Sequence, residues 1–171
     1  TTILGIDPGT NITGFGIIKI DSGTIKYLHH CVIKTGLKNK YTTKLAMINE
    51  ATNNIIDEYT PSHVAIESVF FSVNAGTAIK LGQARGIALL APAEAGLRVF
   101  EYAPNTIKKA VVGVGHADKD QVVHMVKMQL PSVVVNGHDA ADALGIALCH
   151  AYQGNYNQRV KLALSKDKFQ T

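Results

Sequence analysis

The chain has 171 residues, 46% of them apolar and 18% charged, which fits one ordinary domain with a hydrophobic core and excludes a disordered protein. Its formal net charge of +4 suits a polyanionic partner without demanding one. No apolar run reaches membrane-spanning length, and residues 1–7 lack the features of a secretion signal, so a cytoplasmic protein with no membrane partner is expected.

Residues 3–7 form a short apolar run stopped by Pro8-Gly9, which reads as a strand and a turn. Residues 12–20 and 26–34 read as two more strands, with a hairpin turn at Asp21-Ser22-Gly23. Residues 42–59 carry Leu45, Ile48, Ile55 and Tyr59 at helical spacing, and Pro61 follows the end. Residues 63–67 make a short strand, so a parallel crossover from the first strands is expected. Asn74 is placed to cap a long helix reaching about Ala95. Its Gly76, Ala78, Gly82, Ala84, Gly86 and Ala88 allow another helix to approach closely.

Residues 98–102 are the fifth strand, and Pro104 suits the first turn of a short helix ending at Val112. Asp118 with Gln121 is a capping box for a helix ending near Leu130. Residues 139–152 form the last helix, after which a polar, basic tail begins. The sum is an α/β chain: a five-stranded mixed sheet with helices on both faces over residues 1–152, and a C-terminal tail over 153–171. Cys31 and Cys149 sit in apolar stretches without ligand-spaced neighbours, so they read as small buried hydrophobes.

Four carboxylates carry the chemistry. Asp7 ends an apolar strand at the sheet edge where α/β folds place ligands; taken alone, it reads first as a turn residue of Asp7-Pro8-Gly9. Glu67 closes the apolar strand 63–66, and Glu is a poor turn former. If the two strands are parallel, both acids emerge at one end. Asp139 and Asp142 lie three apart at the start of a helix, where capping and the macrodipole account for them singly. That helix is apolar nearly all round, however, and two acids entering a buried helix are costly unless a cation neutralises them. Oxygen-only ligands select hard ions such as Mg²⁺ or Mn²⁺, and two such ions suit phosphodiester hydrolysis.

Lys119 stands at a helix start after a Gly-x-Gly turn, where backbone N–H groups favour a phosphate. Lys80, Arg85 and Lys109 are further candidate DNA contacts, each equally readable as part of a solvated helix face. His63 and His150 read as packing residues, and His138, beside Asp139, either as a loop residue or as one that supports the site acids from behind.

Gly5-Ile6-Asp7-Pro8-Gly9-Thr10 followed by Thr13-Gly14-Phe15-Gly16 resembles the opening of bacterial RuvC-type Holliday-junction resolvases. Ala65-Ile66-Glu67, Lys80-Leu81-Gly82-Gln83-Ala84-Arg85-Gly86 and Asp139-Ala140-Ala141-Asp142-Ala143-Leu144 resemble the same family. The resemblance covers residues 3–152. It implies a ribonuclease-H-like fold and a homodimer that resolves four-way DNA junctions by symmetric paired nicks, giving 5′-phosphate and 3′-hydroxyl ends. It implies catalysis and metal binding by Asp7, Glu67, Asp139 and Asp142 with two Mg²⁺, or Mn²⁺ in their place. Some members carry His where this chain has Asp139. The family's aromatic wedge matches Phe70, with Phe71 beside it, and its basic positions match Lys108 and Lys119. The partners implied are the four-way junction and the branch-migration complex of RuvA- and RuvB-type proteins.

The competing readings are an actin-like ATPase or sugar kinase, a junction-binding protein without catalysis, and a small nuclease acting on RNA. The first needs a second phosphate loop and a second domain that the sequence lacks, and four intact acids oppose the second.

Overall fold

A computed structural model describes residues 1–68, 74–135 and 137–167, with side chains described up to residue 154. Along the chain come β1 (Thr2–Asp7), β2 (Ile12–Asp21), β3 (Thr24–Lys34), α1 (Tyr41–Tyr59), β4 (His63–Glu67) and α2 (Ala75–Glu94). Then follow β5 (Arg98–Tyr102), α3 (Pro104–Val112), α4 (Lys119–Gln129) and α5 (His138–Asp167). The sheet order is β3-β2-β1-β4-β5. β1 pairs antiparallel with β2 and parallel with β4, and β4 pairs parallel with β5. The mixed five-stranded sheet expected from the sequence is therefore present.

The local signals act as the residues dictate. Ser22 and Gly23 both have positive φ, 49° and 82°, the turn whose twist matches a β-hairpin. Asn74 accepts a hydrogen bond from the Thr77 N–H at the start of α2. Asp118 and Gln121 form both bonds of the capping box on α4. α5 departs from expectation, since it continues past Tyr152 to Asp167, where a tail is expected. Residues 153–167 contain no proline and many good helix formers, so nothing breaks the backbone pattern at Tyr152. Among the described residues no helix is long and apolar enough to cross a membrane.

Helices cover both faces. Leu4, Ile6, Val64 and Ile66 point into one core with Ile48 and Ile55 of α1 and Ala84 and Ala88 of α2. Ile3 packs on the other face with Val122 and Val126 of α4 and Leu144 and Leu148 of α5. Side chains alternate along a strand, so Gly5 and Asp7 share the α5 face with Ile3, and Glu67 shares it with His63 and Ala65.

The sheet carries α5 unusually close. A Cβ at Gly5 would lie 2.2 Å from the Ala143 carbonyl oxygen, one at Gly14 2.3 Å from that of Asp139, and one at Gly16 2.6 Å from the Leu144 nitrogen. Gly5 faces Gly16 across the β1–β2 ladder, and Gly14 faces Asp7. These three glycines form the floor on which the first turns of α5 rest.

His63 and His150 do pack, but they also bond. The His150 ring lies 4.3 Å from the Phe100 ring, centroid to centroid. His150 Nε2 lies 3.0 Å from His63 Nδ1, and the Tyr102 hydroxyl lies 2.6 Å from His150 Nδ1. Two proton orders close the chain: Tyr102 donates to His150, which donates to His63, or His63 donates to His150, which donates to Tyr102.

Candidate active site

Ile6 of β1 is in register with Ile66 of β4, so the next residues, Asp7 and Glu67, stand side by side where the two strands end. Alternation turns both toward α5. The first turns of α5 bring Asp142, and a cleft of about 320 Å³ is lined by Asp7, Glu67, Asp142, Lys108 and Lys119. Asp139 does not line that cleft, yet its charge acts on both Asp7 and Asp142.

The electrostatics mark this corner. Burial, and after it the charges of Asp142, Glu67 and Asp139, push Asp7 up from 3.8 to about 7, against a small opposing pull from Lys119. Burial also raises Glu67, reinforced by Asp142 and opposed by Lys108 and Lys119. Asp142 is raised by burial and by Asp139, with Lys119, His138 and Lys108 acting the other way. Three partly buried carboxylates that disfavour one another's ionised forms make a site where a cation would be strongly held. Among the described residues no three His, Cys, Asp or Glu side chains converge into a ready-made cage.

Two residues of the quoted motifs, Thr13 and Arg85, hold the corner in place through bonds that the sequence does not show. The Thr13 hydroxyl donates to the Gly9 carbonyl at 2.9 Å and accepts from the Gly9 N–H at 3.3 Å, which pins the turn after Asp7. Arg85 reaches from α2 under the sheet edge. Its Nε donates to the Glu67 carbonyl at 3.2 Å, and its guanidinium pairs with the Glu101 carboxylate. The side chain of Arg85, expected as a DNA contact, is only 18% exposed and bonded within the protein. It is placed to position the end of β4.

The other expected residues fall in different places. Lys108 and Lys119 meet in the cleft. Asp118 already accepts the Gln121 N–H, so the start of α4 is capped from within the protein, and Lys119 lines the cleft with its side chain. Lys109 is exposed in the last turn of α3 and lies outside the lining of the cleft. Lys80 is exposed on α2, 6.0 Å from the centre of the Tyr41 ring. His138 Nε2 lies 2.9 Å from Asp120 Oδ1, tying the start of α5 to α4. Phe70 and Phe71 lie outside the described residues.

The model of the family "Crossover junction endodeoxyribonuclease RuvC" matches residues 3–150. The chain belongs to the RuvC family. A RuvC relative from Parvibaculum lavamentivorans is 45% identical over 163 residues, covering 95% of this chain and 93% of the relative. One from Ruegeria pomeroyi is 48% identical over 153 residues, covering 90% and 92%. The structure of T. thermophilus RuvC in complex with Holliday junction substrate superposes with a TM-score of 0.84 at 33% identity, covering 91% of this chain and 96% of that one. The sheet and its helices are thus the ribonuclease-H-like fold of RuvC structures.

RuvC membership carries dependence on a divalent metal. The residues here fit that requirement. The donors at the strand ends and on α5 are all carboxylate oxygens, the ligands of hard cations, and their charges raise one another's pKa values.

Proposed function

We propose that this chain resolves four-way DNA junctions by nicking two strands symmetrically. The observation that carries the reading is the shared cleft, in which Asp7, Glu67 and Asp142 face Lys108 and Lys119. Acids of this kind hold cations, and lysines beside them hold a phosphate.

Asp7, Glu67, Asp139 and Asp142 would hold Mg²⁺, with Mn²⁺ able to substitute. Two such ions, when bound there, would supply activation of an attacking water and stabilisation of the leaving oxygen, with 5′-phosphate and 3′-hydroxyl ends as the products. Lys108 and Lys119 orient the scissile phosphate from the α3 and α4 side. Phe70, three residues after Glu67, is the proposed wedge that stacks on an unpaired base, with Phe71 as the alternative; such stacking is worth roughly 1–3 kcal/mol.

A homodimer gives the paired nicks. The outward face of α2 supports it: Ile79 is 62% exposed, Leu90 is 43% exposed, and Gly82 and Gly86 between them meet nothing within 4 Å. That apolar, smooth stripe suits an isologous contact with a second copy. The reading takes residues 1–152 as the nuclease domain and 153–171 as an appended basic segment, in keeping with a family match that ends at residue 150. It places the protein in the cytoplasm with chromosomal DNA, working with a branch-migration complex of RuvA- and RuvB-type proteins.

The test is cleavage of a four-way DNA junction, a matched duplex and a structured RNA in Mg²⁺. Symmetric nicks in the junction alone are expected. Equal cutting of duplex, or preference for RNA, overturns the reading. Light scattering of the junction complex must show two copies, and Gly82→Trp should weaken that assembly more than it weakens metal binding.

A further inference from the structure

Beside the catalytic cleft, on the other face of the sheet, lies a larger cavity of about 500 Å³. Its walls are the loop after β1, the loop from β3 into α1, and the starts of α1 and α2, contributing Thr10, Asn11, Asn39, Lys44, Thr77 and Lys80. No carboxylate lines it, in contrast to the three that line the catalytic cleft.

Lys44 is the unusual group. It sits in the first turns of α1 and is 8% exposed, which is rare for a lysine without a carboxylate partner. Its Nζ donates to Asn11 Oδ1 at 2.6 Å, and among the described residues no ion pair includes it. An ammonium has three donors, so the neutral Asn11 amide leaves two of them and the whole positive charge to be met. The walls are fixed around it. The Thr35 hydroxyl donates to the Thr10 carbonyl at 2.8 Å, and the Tyr41 hydroxyl donates to the Lys80 carbonyl at 2.8 Å, joining α1 to α2.

Resting on the nuclease reading above, we propose that this cavity is a second phosphate site, which grips the DNA backbone where the strand passes from the catalytic cleft over the end of β1. Lys44 and Lys80 supply the charge, and the Thr10 and Thr77 hydroxyls supply neutral donors. The placement fits one continuous strand. Asp7 opens into the catalytic cleft, and Thr10, three residues later, lines the second cavity, a reach of at most about 10 Å along the chain. A bound phosphodiester explains why a nearly buried lysine is kept next to an amide and no acid. It also gives the enzyme a hold on the backbone that does not compete with metal for the carboxylates.

The experiment is a salt titration of junction binding by the full chain in Ca²⁺, comparing wild type with Lys44→Gln, Lys80→Gln and Asn11→Ala. Each lost phosphate contact should flatten the slope of log Kd against log salt by about 0.7–0.9. Lys44→Gln and Lys80→Gln should each do so, with several-fold weaker binding and an unchanged single-turnover rate at saturating junction. Asn11→Ala should weaken binding less. Lys127→Gln, an exposed lysine on α4, is the control and should leave the slope alone. Thermal melting separates a structural role. If Lys44→Gln lowers the Tm while the slope stays that of wild type, Lys44 is a packing residue and the proposal fails. It also fails if Lys80→Gln and Asn11→Ala both bind as wild type does, whatever Lys44→Gln does. Should wild type show no preference for the junction over duplex, the nuclease reading falls, and the same slopes measured on duplex DNA still decide the cavity.

Discussion

Two buried polar clusters sit on α5, eight residues apart, or about 12 Å along the helix axis. At Asp142 the helix meets Asp7 and Glu67, and at His150 it meets His63 and Tyr102. The histidine cluster satisfies itself. Each imidazole can donate with one nitrogen and accept with the other, so neutral hydrogen bonds close the chain, and burial with the nearby His63 and Arg98 pushes His150 down to about 4. The carboxylate cluster cannot do this. Ionised carboxylates only accept, and Lys108 and Lys119 in the same cleft offset only part of their mutual repulsion and burial, since all three acids stay raised. A polar cluster that completes its own bonds contributes to stability, whereas one whose charges are incompletely offset is where an external cation acts.

The largest expected effects break the carboxylate side of this contrast. Asp7→Asn, Glu67→Gln and Asp142→Asn should each abolish nicking while junction binding in Ca²⁺ stays near that of wild type, if lysines rather than carboxylates hold the DNA as proposed. A gel assay with labelled junction reads both quantities. Substantial Mg²⁺ cleavage by any one variant would falsify that residue's place in the site.

Next comes the glycine floor beneath the first turns of α5. Gly5→Ala and Gly16→Ala would drive a methyl group into α5 backbone atoms at 2.2 and 2.6 Å. Backbone cannot yield as a side chain does, so a loss of about 3 kcal/mol or more in denaturant unfolding is expected. Gly82→Ala, on the open face of α2, should stay within roughly 1 kcal/mol and serves as the contrast.

Arg85→Ala tests how the acid cluster is positioned. It removes the bonds to the Glu67 carbonyl and to Glu101, so kcat should drop about tenfold with little change in junction affinity. Arg85→Lys should restore part of the rate. A fall in affinity with kcat intact would instead make Arg85 a DNA contact, as its sequence position first suggests.

The smallest effects sharpen the contrast through pH, since the two clusters have opposite signs. Asp7 has a folded value raised from 3.8 to about 7, so the folded state binds the extra proton. Its penalty is absent below about 3.8, grows as pH rises, and is complete above about 7. Without metal, Asp7→Asn should therefore raise the Tm at pH 8 by roughly 3–6 °C, equivalent to about 1–2 kcal/mol. Mg²⁺ should raise the Tm of wild type and not that of the variant. His150 has a folded value lowered from 6.5 to about 4, so its contribution is complete above 6.5 and is lost as pH falls toward about 4. His150→Phe strands the Tyr102 and His63 partners and should destabilise at pH 8. That deficit should shrink at pH 5, where the wild type has lost part of its own advantage. Parallel pH–Tm curves for wild type and variant would remove His150 as the titrating group.

The sequence by itself determined what depends on neighbours along the chain. Strand and helix periodicity, the hairpin at Ser22-Gly23, the Asn74 cap and the Asp118–Gln121 capping box act within a few residues. The ends of β1 and β4 were legible because an apolar run stops at an acid, and the family motifs tied Asp7 and Glu67 to Asp139 and Asp142. Tertiary structure decided what depends on residues far apart. Gly5, Gly14 and Gly16 are motif letters in the sequence until α5 rests on them, Arg85 is a candidate DNA contact until Glu67 and Glu101 claim it, and nothing in the sequence marks Lys44 before Asn11 and the walls of the cavity close round it. Nor does polarity fix the end of α5, because a polar segment without proline can remain helical, as α5 does to Asp167. Periodicity reports which face of an element is apolar. It carries no information on how near another element comes, and both the repulsion among the acids and the burial of Lys44 depend on that distance.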